Sequence, residues 1–201
     1  MGESIKGCKD PVNIVSGLPR SGTSMMMKML EAGGVEPLID HIRTADEDNP
    51  KGYYEFEKVK QIKEDTSWLD DAAGKVVKMV SMLLPELPPD RHYRVVFMRR
   101  EMKEILASQR VMERRGGKRT SEGAEAETED RTMAELFRKH LIKVHRFLET
   151  ADNIDLLYVR YNDILVEPRP VAEEINRFFG GTLDADRMCA VVDPSLYRQR
   201  S

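Results

Sequence analysis

Cysteine is almost missing from this 201-residue chain: Cys8 and Cys189 are the only two, they lie in unrelated contexts, and no C-x-x-C occurs. A disulfide scaffold is excluded, and two free thiols are expected. The histidines are few and scattered. His41, His92, His140 and His145 form no i, i+4 pair and no H-E-x-x-H, so no metal site is expected. No apolar run approaches the ~20 residues of a membrane span, and residues 1–11 carry no apolar core of a signal peptide. Net charge is only −3. A global field that would draw in nucleic acid or an anionic membrane is therefore lacking, and any anion must be met by a local basic pocket.

What is present is the composition of one packed domain over residues 1–201, with 40% hydrophobic and 33% charged residues. Strands are predicted at Val12–Val15, Lys75–Val80, Arg94–Met98 and Asp155–Val159, and helices beginning near Thr23, Glu55, Met102, Thr132 and Pro168. That alternation predicts an α/β fold with a mainly parallel central sheet flanked by helices. Gly33-Gly34 should stop the first helix. Pro168 and Pro170 suit the first turn of the last, which should end near Phe179 before Gly180-Gly181. Met133, Leu136, Phe137, Leu141, Val144, Phe147 and Leu148 recur at three- and four-residue steps, the stripe of an amphipathic helix facing a core. Residues 114–130 instead run from basic to acidic with Gly and no large apolar side chain. A mobile surface loop over about residues 114–131 is expected there, or a lid that orders over substrate.

Residues 12–30 are the most informative stretch. The apolar run Val12–Val15 enters Gly17-Leu-Pro-Arg-Ser-Gly22, and a methionine-rich helical segment follows at once. Strand, glycine-bounded loop and helix N-terminus direct backbone N–H groups at one point, which suits phosphate or sulfate. Gly17 and Gly22 have the G-x-x-x-x-G spacing of a Walker A loop, but Thr23 stands where that motif needs lysine, and the loop carries Arg20 instead. An ordinary ATPase or GTPase is disfavoured. The methionines at 25, 26, 27 and 29 suit core packing better than metal ligation.

The stretch Gly17-Leu-Pro-Arg-Ser-Gly-Thr-Ser24 closely resembles the phosphosulfate-binding loop of sulfotransferases. A second motif of that family is similar to Arg94-Val-Val-Phe-Met-Arg-Arg100 followed by Glu-Met-Lys-Glu-Ile-Leu-Ala-Ser108, in which Ser108 lies eight residues after Arg100. Weaker likenesses are Val77-Lys78-Met79-Val80 with the Lys-Thr-His strand of cytosolic members, and Tyr158-Val-Arg-Tyr-Asn-Asp-Ile164 with their Tyr-Glu-Asp segment. The matches run in family order from about residue 12 to about 180. The resemblance implies a three-layer P-loop-like α/β fold and a sulfotransferase that uses PAPS (3′-phosphoadenosine 5′-phosphosulfate) and releases PAP, with no metal. It places Pro19, Arg20, Ser21, Gly22, Thr23 and Ser24 around the 5′-phosphosulfate, Arg100 and Ser108 at the 3′-phosphate, and Tyr161 near the nucleotide. The chain departs from the pattern at Val80, where cytosolic members have their histidine base, and at its end, Tyr197-Arg-Gln-Arg200, which replaces the usual nucleotide-binding signature.

Sulfuryl transfer leans on positioning and charge, so Arg20 is expected to neutralise the leaving oxygen, and Lys78, at the end of a strand, to stabilise the moving group. A guanidinium suits the 3′-phosphate because it grips two oxygens at once. The base is sought at Asp40 first, then His41, then Glu55; Asp40 could equally cap a turn, and Glu55 could begin a helix. Tyr53 and Tyr54 could line the acceptor pocket, and Arg198 and Arg200 could reach the 3′-phosphate. The acceptor is expected to be a small molecule, a peptide or a carbohydrate presenting a hydroxyl or an amine. No nucleic-acid or membrane partner is expected, and a cytoplasmic setting is. Two other readings stay open: a P-loop small-molecule kinase, and a non-catalytic nucleotide-binding protein.

Overall fold

All six residues of β1, Val12–Gly17, are buried, as a strand covered on both faces must be. In the computed structural model, which describes residues 10–40, 42, 54–117 and 120–193, β1 pairs on one side with β2 (Val76–Val80) and on the other with β3 (Tyr93–Arg99). β4 (Ile154–Arg160) adds to β3, giving the order β2-β1-β3-β4 with every pair parallel. Asn13, polar in a buried strand, is satisfied: its amide donates to the carbonyls of Gly74 and Lys75 at 3.2 and 3.0 Å.

Strand alternation sorts the side chains into two cores. Ile14, Val77, Met79, Val95 and Phe97 face one side, where they meet Trp68, Leu69, Val144 and Leu148. Val15, Val76, Val96, Met98 and Val159 face the other, against Met26, Met27, Met29 and Leu30. The predicted methionine packing is thus the seam between helix α1 (Thr23–Gly33) and the sheet. On the same face lie α4 (Tyr161–Val166), α5 (Pro168–Phe178) and α6 (Ala185–Ala190), supplying Tyr161, Ile164, Ala172, Ile175 and Met188. The result is the three-layer α/β fold expected from the alternation of elements. No described helix is long and apolar enough to cross a membrane.

Three expectations need correcting. The helix expected near Glu55 is a short 3-10 turn, Glu57–Gln61. The strong amphipathic helix begins not near Thr132 but at Gly123, so α3 spans Gly123–Thr150. The loop expected over 114–131 is therefore mostly helix: α2 (Met102–Arg115) runs into it from one side and α3 from the other. Alanine and glutamate between 124 and 129 are strong helix formers, and their acidic charge suits a helix N-terminus. Ala126 and Ala134 bury small faces, and Arg110 reaches Asp130 at 3.3 Å to tie α2 to α3. The residues that this half of α3 buries are alanines, so no large apolar side chain marks it in the sequence.

With 28 residues, α3 is about 42 Å long at ~1.5 Å per residue. Adjacent strands of seven residues reach only about 23 Å at ~3.3 Å per residue. Val144 and Leu148 pack on the sheet, so the first half of α3 extends past the carboxyl ends of the strands. α2 buries only Glu104, Ile105 and Ser108, all in its first half. The two helices form a hairpin that stands above the strand ends.

Candidate active site

β1 connects outward to β2 on one side, while β3 connects to β4 on the other. The crevice between the ends of β1 and β3 is therefore the switch point at which open α/β sheets bind ligands. Gly17-Leu-Pro-Arg-Ser-Gly22 fills it. Gly22 precedes α1 at φ 99°, no side chain caps the helix, and its first turn has no acidic residue, so its amides are presented to an anion. A Cβ on Gly22 would stand 2.3 Å from the Tyr161 ring, and one on Gly17 would stand 2.5 Å from Ser21 Oγ and 2.8 Å from the Met98 carbonyl. Ser21 Oγ is buried and has no hydrogen-bond partner. Arg20 is non-glycine at φ 68°, a left-handed conformation that aims its side chain across the crevice.

That side chain reaches α2: Arg20 Nε donates to Ser108 Oγ at 2.8 Å. Arg100, just past β3, comes to the same place from below. Its Nη1 donates to the Arg20 carbonyl at 3.0 Å across 80 residues of sequence. Its Nε donates to Glu104 at 2.8 Å, and its guanidinium lies 4.3 Å from the centre of the Tyr161 ring. Burial pushes the Tyr161 phenol up, against the pull of Arg100. Arg99 faces elsewhere, over Tyr158 at 3.6 Å. A cavity of about 300 Å³ opens beside this cluster, lined by Ser21, Arg99, Arg100, Arg160 and Asn162 among others.

The other flank is built on β2. Lys78 lies on the α1 face of the sheet, its Nζ 3.5 Å from Ser24 Oγ and 3.9 Å from Glu55 Oε1. Val80, two residues on and so on the same face, pairs with Gly17 and is 44% exposed, so the position of the family's histidine holds no base here. Asp40 is placed differently. Its Oδ1 accepts the amide of Ile42 at 3.0 Å and its Oδ2 the amide of Glu57 at 2.5 Å, so the carboxylate organises the turn that delivers Glu55. Tyr54 donates to Glu31 on α1, and burial and that carboxylate push its phenol up. His41, Tyr53, Arg198, Arg200 and Cys8 lie outside the described residues.

The structure thus brings Arg20, Arg100, Ser108 and Tyr161 into one cluster, and Ser24, Lys78 and Glu55 into another on the far side of the loop. Glu104 and Asn162 escaped notice in the sequence. A charge inside an amphipathic helix ordinarily reads as solvated surface, yet the Glu104 side chain is 1% exposed. Its four-residue spacing from both Arg100 and Ser108 was the available signal.

Comparison with known proteins gives a family and a fold. A family model described as Sulfotransferase domain matches residues 10–199. No curated protein matches the chain. Among solved structures, the chain is similar to a sulfotransferase from Mycobacterium tuberculosis, with 17% identity and a TM-score of 0.56 over 92% of this chain and 71% of that one. It is similar also to the sulfotransferase domain from the curacin biosynthetic pathway, with 14% identity and a TM-score of 0.53 over 97% and 80%. A sulfotransferase from Alicyclobacillus acidocaldarius matches at 14% identity with a TM-score of 0.52, over 92% and 87%. At such identities these structures speak for the fold.

Proposed function

Because the chain belongs to the sulfotransferase domain family, we propose that its sulfuryl donor is PAPS and its acceptor a hydroxyl or amine compound, with PAP as the second product. The observation that carries this reading is the bond from Arg100 to the Arg20 carbonyl, which joins the glycine loop to a second cationic centre. An adenylate with negative charge at both its 5′ and 3′ positions needs two such centres. The residues fit the group: the orphaned Ser21 hydroxyl, the two glycines whose Cβ positions are occupied by neighbours, and the uncapped α1 N-terminus form an anion cradle.

Bound PAPS supplies an activated sulfuryl group on a 5′-phosphate. The amides from Ser21 to Ser24 and the Thr23 and Ser24 hydroxyls hold that end, and Arg20 balances negative charge as it builds on the loop side. Arg100, with Ser108 nearby, takes the 3′-phosphate. Lys78 sits between Ser24 and Glu55, and so places a cation and a carboxylate together where an acceptor would enter. Glu55, rather than Asp40, is then the base that removes the acceptor proton, because both Asp40 oxygens hold backbone amides.

Thermal unfolding tests the donor. PAP without metal is expected to raise Tm by several degrees; stabilisation by ATP–Mg²⁺ with none by PAP would favour a kinase instead. A test of the base follows from the same geometry. Glu55→Gln is expected to lower kcat by about 10²–10⁴-fold while leaving PAP affinity unchanged, and Asp40→Asn to lower Tm with kcat nearly retained. Loss of turnover in Asp40→Asn alone would reverse the assignment.

A further inference from the structure

We infer that Glu104 is a positioning residue for the nucleotide site, acting through Arg100. The inference rests on the reading of Arg100 as a phosphate ligand and goes beyond it by naming what aims that arginine. Glu104 lies in the first turns of α2 with its side chain 1% exposed, and the Arg100 side chain is 8% exposed. A charge so buried must be matched by neighbours. Glu104 Oε2 accepts from Arg100 Nε at 2.8 Å, and Oε1 accepts from Asn162 Nδ2 at 3.0 Å. Asn162 is the second residue of α4, directly after Tyr161. The carboxylate therefore bridges two arms that flank the crevice, one from the end of β3 and one from the start of α4.

The consequence for Arg100 is geometric. A guanidinium is planar with its five N–H bonds fixed in that plane. Glu104 fixes Nε, the Arg20 carbonyl fixes Nη1, and the Tyr161 ring takes one face at 4.3 Å. Three contacts leave the plane a single orientation. Ser108 lies four residues after Glu104, on the same face of α2, and holds the other arginine of the site, Arg20, at 2.8 Å. One face of one helix thereby sets both cations: Glu104 orients Arg100, and Ser108 orients Arg20.

The sign of the effect separates orientation from charge. Neutralising Glu104 makes the crevice more positive, which by itself tightens anion binding. If orientation governs, Glu104→Gln loosens it instead. Calorimetry of PAP on the full chain is expected to show Kd raised about tenfold in Glu104→Gln, with KM for the donor raised in step and kcat at saturation nearly unchanged. In an Arg100→Ala background the same substitution is expected to add nothing, since the carboxylate acts only through that arginine. Asn162→Ala leaves the charge pair in place but removes the α4 bond to Oε1, and is expected to raise Kd about threefold; it serves as the readout should Glu104→Gln fold poorly. Unchanged or tightened binding in Glu104→Gln, or additive losses in the double variant, would overturn the inference while leaving the donor assignment standing. Wild-type protein that does not bind PAP would sink both.

Discussion

Replacing Arg20 with glycine is expected to lower kcat by about 10²–10³-fold, the usual loss on removing one preorganised donor, with the fold intact. Arg20 holds φ 68°. An L side chain at such an angle costs about 1–2 kcal/mol, a penalty glycine does not carry. The substitution thus deletes the guanidinium and relaxes the backbone together. The hydrogen bond from Arg100 uses the Arg20 carbonyl, so glycine preserves that anchor and PAP affinity should fall much less than turnover. Arg20→Lys keeps a charge but not the planar fork that reaches Ser108, so only part of the rate should return. Steady-state kinetics beside PAP calorimetry read both quantities. Turnover within a few fold of wild type in Arg20→Gly would remove this residue from the chemistry.

Gly22→Ala should damage stability and nucleotide binding together. The new Cβ would lie 2.3 Å from Tyr161 Cδ2 at a backbone φ of +99°. The ring has little room to yield, being 7% exposed with Arg100 against its face. Left-handed strain and overpacking together cost about 2–5 kcal/mol, which for a domain of this size is a Tm loss of about 5–15 °C. Because a displaced ring carries Arg100 with it, PAP affinity should fall about 100-fold as well. Gly34→Ala is the control. Its φ is +109° but nothing lies within 4 Å of the added methyl, so stability should drop without any change in affinity. An alanine at 22 with normal Tm and normal PAP binding would mean that the loop is not the cradle described.

The glycine loop was legible because its chemistry is local. Left-handed positions call for glycine, and a strand, a loop and a helix N-terminus are contiguous in sequence. The spacing of Arg100 and Ser108 was legible for the same reason, as both lie on one continuous stretch that runs from the end of β3 into the middle of α2. The sheet could be read from the apolar runs that a doubly covered parallel strand requires. What separates Glu55 from Asp40 is tertiary and has no mark in the sequence: Asp40 holds the amides of Ile42 and Glu57, and Glu55 lies 3.9 Å from Lys78. The first half of α3 was missed because its partner is α2 rather than the sheet. The buried residues there are Ala126 and Ala134, and a pattern keyed to large apolar residues passes over them.

Every strand pair in this sheet is parallel, so no two neighbouring strands are joined by a tight turn. β1 finds β3 only after a long intervening stretch has been made, and Arg20 and Arg100 are 80 residues apart when they meet. Loops of that length must close before any contact rewards them, which makes such domains slow to fold. On the ribosome, β1 would wait with both edges unsatisfied until β2 and β3 had emerged, an interval of exposure to aggregation and to chaperones. The glycine loop thus waits for half the chain before its second cation arrives, and a fragment ending before Arg100 would possess the loop without that partner.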